Sequence, residues 1–216
     1  MCGRFGFSVP KNLVEERFDI SVDELYLPRY NCAPTQFLGV ISNAEPGILS
    51  YFRWGLVPFW AKDISIGNKL INTRAETILE KPSFKSSFKR RRCLVPADGF
   101  YEWKKEKIKV PHRIMLRSGE PFAMAGIWDS WMDAAGNELR TFSIITTTPN
   151  ELMTGIHNRM PVILAREAEK KWLEETDERA LLELLKPYPA EEMKAYKISS
   201  AVNSPAHDSP EILNNF

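Results

Sequence analysis

Between residues 37 and 149 the chain is a succession of short runs rich in β-branched and aromatic residues, cut at intervals by turn formers. That pattern predicts a β-rich middle. Residues 37–41 and 48–58 form two such runs, separated by Ser42-Asn43-Ala44-Glu45-Pro46-Gly47, a hairpin with a long turn. Residues 94–103, 111–117, 121–131 and 138–149 continue the series, the last two joined across Asp133-Ala134-Ala135-Gly136-Asn137.

Helical periodicity is confined to the flanks and to one insertion. Residues 11–18 have a short amphipathic pattern, whereas Tyr30-Asn31-Cys32-Ala33-Pro34-Thr35 reads as a loop because proline restricts its predecessor. Thr73 followed by Glu76 fits a capping box and predicts a helix start. Arg74 then sits in the first turn, against the helix dipole, and calls for an anionic partner. A phosphate and a neighbouring carboxylate satisfy that need equally. A second helix is predicted over 83–92, where Lys89-Arg90-Arg91-Arg92 suits a C-terminus and a solvated face. Residues 166–175 and 177–186 are predicted as scaffold helices, the latter capped by Thr176. Residues 196–202 are expected to return as a strand, before a polar tail from about 204.

A chain of 216 residues with 44% hydrophobic and 26% charged content suits one globular domain over residues 1–216. No internal repeat or linker divides it. A net charge of +1 offers no polybasic field, so any nucleic-acid binding has to come from a local groove. Cys2, Cys32 and Cys93 are odd in number and widely spaced, and neither a disulfide framework nor a metal site is expected. With no secretory leader pattern and no apolar run of membrane length, a cytoplasmic protein without cofactor or membrane contact is expected.

The chemistry-bearing residues begin at the N-terminus. Removal of Met1 from Met1-Cys2-Gly3-Arg4 leaves an amine and a thiol on adjacent carbons, a pair that no internal cysteine offers. An α-amine titrating near ~7.7–8.0 is neutral in roughly one molecule in ten at pH 7, several hundred times more than lysine. It can attack an aldehyde to give an imine, and the neighbouring thiol can close a five-membered thiazolidine. Glu102, in Gly99-Phe100-Tyr101-Glu102-Trp103, shares a strand face with Phe100, and apolar surroundings there raise a carboxyl pKa toward neutrality. A wet edge-strand glutamate is the competing reading. His157 lies in the loop Gly155-Ile156-His157-Asn158-Arg159-Met160-Pro161 and is the best placed of three histidines: His112 falls in a strand pattern and His207 in the tail. Trp54 and Trp60 flank a proline-interrupted turn, where packing is the commoner fate and base stacking the alternative.

Met-Cys-Gly-Arg, Asn-Thr-Arg-Ala-Glu-Thr, Gly-Phe-Tyr-Glu-Trp and Ile-His-Asn-Arg-Met-Pro, in this order, resemble the SOS-response-associated peptidase (SRAP) family of abasic-site processing proteins. The match runs from Cys2 to about Asn203. The resemblance implies an α+β fold, mostly antiparallel strands curled into a barrel-like core with peripheral helices, and a groove for single-stranded DNA. It implies that Cys2 traps the ring-opened aldehyde of an abasic site, with Asn72, Glu102 and His157 beside it. It assigns Arg4, Arg74 and Arg159 with Pro34, Trp60 and Trp103 to the DNA path, and a monomer is expected. Asn158 stands where family members often have Asp. The main rival is an N-terminal-nucleophile cysteine peptidase, in which Cys2 attacks an amide with its own amine or His157 as base. A DNA-binding module without a covalent step is the non-enzymatic alternative.

Overall fold

The structure, a computed structural model, describes residues 2–105 and 107–214. The expected removal of Met1 lies outside the described residues.

The first strand, β1 (Phe5–Phe7), is followed by helix α1 (Lys11–Phe18), then β2 (Arg29–Cys32), β3 (Phe37–Ser42) and β4 (Glu45–Trp54). Next come β5 (Asn72–Arg74), α2 (Pro82–Arg90), β6 (Arg92–Ala97), β7 (Gly99–Lys105), β8 (Lys109–Leu116), β9 (Phe122–Met132) and β10 (Glu138–Thr147). The chain ends through α3 (Glu151–Thr154), β11 (Met160–Pro161), β12 (Ile163–Leu164), α4 (Arg166–Glu174), α5 (Glu178–Glu183) and β13 (Met193–Lys197).

Five strands close on themselves. β3 lies between β4 and β6, β6 pairs with β9, β9 with β10, and a parallel β10–β4 ladder completes the ring. This closed, mixed barrel leaves no edge within the ring. A second, antiparallel sheet of order β13-β8-β7-β1-β2 packs beside it, so the expected α+β architecture with barrel core and peripheral helices is the one observed. Inside the barrel Trp54 stacks on Phe142 at 6.1 Å, and Phe5 of the second sheet reaches Trp54 at 5.2 Å. Each such fully buried ring contributes roughly 1.5–3 kcal/mol, and together they fasten β1 to the barrel.

Turn chemistry sets the hairpins. Asp133 accepts hydrogen bonds from the backbone of Ala135 and Asn137 and from the Asn137 amide, with Gly136 at φ 85°, which joins β9 to β10 as the sequence predicts. The β3–β4 turn is shorter than expected, Asn43-Ala44 alone, because Ser42 Oγ accepts from the Glu45 N–H and pairing resumes at Glu45. After β4, Gly55 takes φ 117° with Gly67 so close that a Cβ would lie 2.6 Å from its carbonyl oxygen. Residues 56–58 stay buried after this contact, and Phe59 and Trp60 beyond them are exposed.

The helix expected from Thr73 does not form. Thr73 is buried and pairs with Ile145 of β10, so its backbone bonds go to the sheet; only a 3-10 turn over Ala75–Thr77 follows. The loop read over 30–35 is half strand, since β2 pairs with β1. The helix expected over 83–92 ends at Arg90, and Arg92 is the reverse of a solvated residue. Its buried guanidinium donates to the carbonyls of Phe88 and Lys89 at the end of α2, and of Trp172, Leu173 and Glu175 at the end of α4. One cation thus caps two helix C-termini. Asp177, not Thr176, caps α5, its carboxylate accepting from the Arg179 N–H at 2.9 Å. The return strand starts at Met193 and stops at Lys197, with a 3-10 turn over Ser200–Asn203.

The stretch after 204, expected as a polar tail, is docked. Asp208 accepts from the backbone N–H of Tyr30 and Asn31 and pairs with Arg29, and Ile212 is buried in a small cluster with Tyr101 and Ile198. Its polar residues are spent on β2, which is why composition alone misreads the segment.

Candidate active site

Strand alternation and one antiparallel register assemble the site. β1 pairs with β7 through Phe5–Phe100 and Gly6–Gly99, and the Tyr101 N–H donates to the Arg4 carbonyl at 2.9 Å. Carried outward, that register sets the chain start alongside Glu102. On β7, Phe100 belongs to the main core whereas Tyr101 packs in the separate cluster with Trp103 against it, so Glu102 shares the Phe100 face as the sequence predicts. Glu102 is 3% exposed and is no wet edge-strand residue.

Asn72 arrives from β5, which runs parallel to β10 with Asn72 opposite Ile144. Its amide Nδ2 donates to the Cys2 carbonyl at 2.8 Å, and its buried Oδ1 has no hydrogen-bond partner among the described residues. An acceptor is therefore held ready within reach of the Cys2 backbone.

Burial pushes the Cys2 thiol up from its ordinary range, and the Glu102 carboxylate adds to the shift. The thiol therefore rests protonated and needs a base. Burial likewise raises the Glu102 carboxyl, with His157 pulling the other way. His157 Nδ1 stands 3.9 Å from Glu102 Oε1. The Arg159 N–H points to Nδ1 at 3.1 Å and the Arg159 carbonyl lies 3.2 Å from the same atom. With Nδ1 bare the ring accepts from the Arg159 N–H, and with Nδ1 protonated it donates to the Arg159 carbonyl, so the loop accommodates the ring in either state. The loop suits a proton donor.

The remaining expected residues divide. Trp103 is in the site, its Nε1–H donating to Asn203 Oδ1 at 2.7 Å, and with Glu102, His157, Asn203, Lys105 and Lys109 it lines a cleft of about 440 Å³. Arg4 holds the rim together: its guanidinium donates to Asn31 Oδ1 at 2.8 Å and to the Val202 carbonyl at 2.5 Å. Arg159 is committed to Glu76 and to the Thr146 carbonyl. Arg74 is exposed on the strand that carries Asn72, and the carboxylate two positions on is bonded by Arg159. Pro34 is half-buried in the turn after β2, and Trp60 is 49% exposed beyond β4; neither lines the cleft. Trp54 is core.

Sequence reasoning overlooked Lys105 and Lys109, although Lys104-Lys105-Glu106-Lys107-Ile108-Lys109 is visible as a basic run directly after the Glu102 motif. Among the described residues the three cysteines are free, and no group of three His, Cys, Asp or Glu is arranged to hold a metal ion.

A closed barrel that sets a second-position cysteine against an asparagine, a buried glutamate and a loop histidine defines a class, and comparison identifies it. The chain belongs to the SOS response associated peptidase (SRAP) family, whose pattern it matches over residues 1–205. It is 49% identical over 221 residues to the abasic site processing protein YoqW of Bacillus subtilis, covering 99% of both chains. To the abasic site processing protein HMCES of Gallus gallus it is 35% identical over 224 residues, covering 87% of this chain and 66% of that one. Among solved structures, a protein from Bacteroides thetaiotaomicron superimposes with a TM-score of 0.92 at 34% identity, covering all of both chains.

Proposed function

We propose that this protein captures abasic sites in single-stranded DNA as a covalent thiazolidine on Cys2, after removal of Met1. The observation that carries the proposal is the Asn72 amide bonded to the Cys2 carbonyl at 2.8 Å, beside a buried Glu102 that faces His157. The names carried by the relatives YoqW and HMCES support abasic sites as the target.

An abasic sugar rests mainly as a closed hemiacetal. His157 gives a proton to the ring oxygen as it leaves C1′ while Glu102 takes the C1′ hydroxyl proton, freeing the aldehyde, and the Cys2 amine adds to C1′. Asn72 Oδ1 accepts an amine hydrogen and directs the lone pair. Glu102 relays the two amine protons in turn to the C1′ oxygen, so water leaves and a neutral imine remains. The Cys2 sulfur then bonds to C1′ while its proton passes through Glu102 to the imine nitrogen, closing a ring of nitrogen, two cysteine carbons, sulfur and C1′. No electrophile is left to drive β-elimination, and the strand stays intact. A thiol kept protonated by burial fits this order, with amine first and sulfur second, better than it fits a resting thiolate of a peptidase.

The test is incubation of Met1-processed protein with an oligonucleotide carrying one abasic site, followed by a denaturing gel, beside Cys2→Ala and an intact strand. A shifted band only for wild type with the abasic strand is the expected result. No band, with Cys2 verified as the first residue by mass spectrometry, overturns the proposal and returns peptide substrates to consideration.

A further inference from the structure

The β7–β8 ladder runs from Phe100–Ile114 to Lys105–Lys109, so Lys105 and Lys109 are directly opposite and project from one sheet face. By alternation this is the face of Trp103. Both lysines are exposed at their chain position, and both line the same cleft as Glu102, Trp103 and His157. Like charges set directly opposite in an antiparallel pair destabilise it. Among the described residues neither ammonium is in an ion pair. A bound anion between them would relieve that repulsion.

Geometry limits what the anion can be. The cleft is lined by the proton-transfer pair Glu102 and His157, by this hairpin and by Trp103, whose indole is fixed by its bond to Asn203. A strand whose sugar sits at Glu102 therefore has a neighbouring phosphodiester in the same cleft as the lysines. Arg74 and Arg159 do not line this cleft, and Arg159 is bonded to Glu76.

We propose that Lys105 and Lys109 form a cation pair that holds one backbone phosphate of the DNA strand, on the Trp103 side of the captured sugar. This rests on the proposed capture of abasic sites, and it adds a binding subsite on one flank only. The contact is to phosphate and so is blind to sequence.

The test has a non-covalent arm and a covalent arm, on wild type, Lys105→Gln/Lys109→Gln and Lys105→Arg/Lys109→Arg. In the first, a labelled undamaged single strand is titrated by fluorescence anisotropy over a salt series. The glutamine pair is expected to weaken binding about tenfold at low salt and to flatten the salt slope by about 0.7, the loss of one phosphate contact on a single strand. The arginine pair is expected to match wild type. In the second arm, the glutamine pair raises the strand concentration for half-maximal cross-linking about tenfold and leaves the saturating rate unchanged. With the abasic sugar placed at either end of the strand, the difference from wild type survives for one end and vanishes for the other. Unchanged affinity and slope in the glutamine pair, equal losses in the arginine pair, or equal effects at both ends overturn the subsite. If wild type binds DNA as described but never cross-links, capture fails and the anisotropy arm still decides the subsite.

Discussion

Arg159 and Glu76 are joined by two parallel hydrogen bonds, of 2.7 and 2.9 Å, that tie the His157 loop to the segment after Asn72. A third bond, to the Thr146 carbonyl at 2.6 Å, fixes the same guanidinium to β10. A residue so committed positions two sides of the site against each other, whereas the family resemblance places it on the DNA path.

Arg159→Gln is therefore predicted to lower the cross-linking rate about tenfold while leaving the salt slope of DNA binding as in wild type. Because the Arg159 bonds hold the Glu76 carboxyl below its ordinary range, the pair's stabilisation is present above about pH 4.5 and fades as pH falls. With Glu76 45% exposed at its side chain, screening leaves it worth under about 1 kcal/mol. In a double-mutant cycle with Glu76→Gln, Arg159→Gln should add little further loss. Fully additive losses together with a flatter salt slope would return Arg159 to the DNA path.

Glu102 has the opposite linkage. Its carboxyl is raised by burial, so the folded state favours the proton: stability is full below the unfolded pKa and falls as pH climbs through the folded one. Glu102→Gln lacks this loss, and its stability relative to wild type should grow from pH 4 toward pH 8 in urea titrations. Capture should drop by about a hundredfold or more, as for a lost acid–base group, and thiazolidine reversal should slow with it. Unchanged formation and reversal would end the proton-relay role.

At Asn72 one side chain supplies a donor to the Cys2 carbonyl and a buried acceptor without a partner. Replacement by alanine removes both. Loss of one hydrogen bond costs about 0.5–1.5 kcal/mol, so the imine step should slow by roughly 2- to 12-fold through the donor alone, and further if Oδ1 orients the amine. Cys2→Ser separates the second step: borohydride should trap an imine from this variant, whereas the stable ring is lost. A stable, reductant-independent adduct from Cys2→Ser would rule out sulfur as the closing atom.

Much of this architecture is legible in local composition. The runs that became β8, β9 and β10 announce themselves through β-branched and aromatic content and through Asp133-Ala134-Ala135-Gly136-Asn137, and alternation places Glu102 opposite Tyr101 and Trp103. What local pattern cannot encode is pairing at a distance. Thr73 and Glu76 satisfy a capping rule within four residues, yet β10, some seventy residues away, takes the backbone of Thr73 and Arg159 takes the carboxylate of Glu76. The closed ring depends on the parallel β10–β4 ladder, for which no short-range signal exists. Asp208 likewise reads as tail until β2 offers it two N–H groups. Among the site residues, Arg4 and Arg159 were legible as important cations, but their partners are carbonyls and a carboxylate from distant segments.

Arg92 gives the sharpest contrast between charge pattern and role. In sequence it is the last of four consecutive cations; in the fold it is 2% exposed and donates to five carbonyls at the ends of α2 and α4. Arg92→Met fills much of the volume but leaves those carbonyls without a buried donor, each such loss costing about 1–3 kcal/mol where water cannot substitute. Neighbouring strands and the Trp172 Nε1–H bond to the Cys93 carbonyl remain, so helix detachment should stay local at first. A stability loss of about 3 kcal/mol or more is predicted from urea midpoints, with Lys89→Met as the control that changes little, since its pair with Glu178 lies at the surface. Cross-linking per folded molecule at low temperature should match wild type, because Arg92 does not line the cleft. An Arg92→Met midpoint equal to that of Lys89→Met would show that the two helix ends do not depend on this cation.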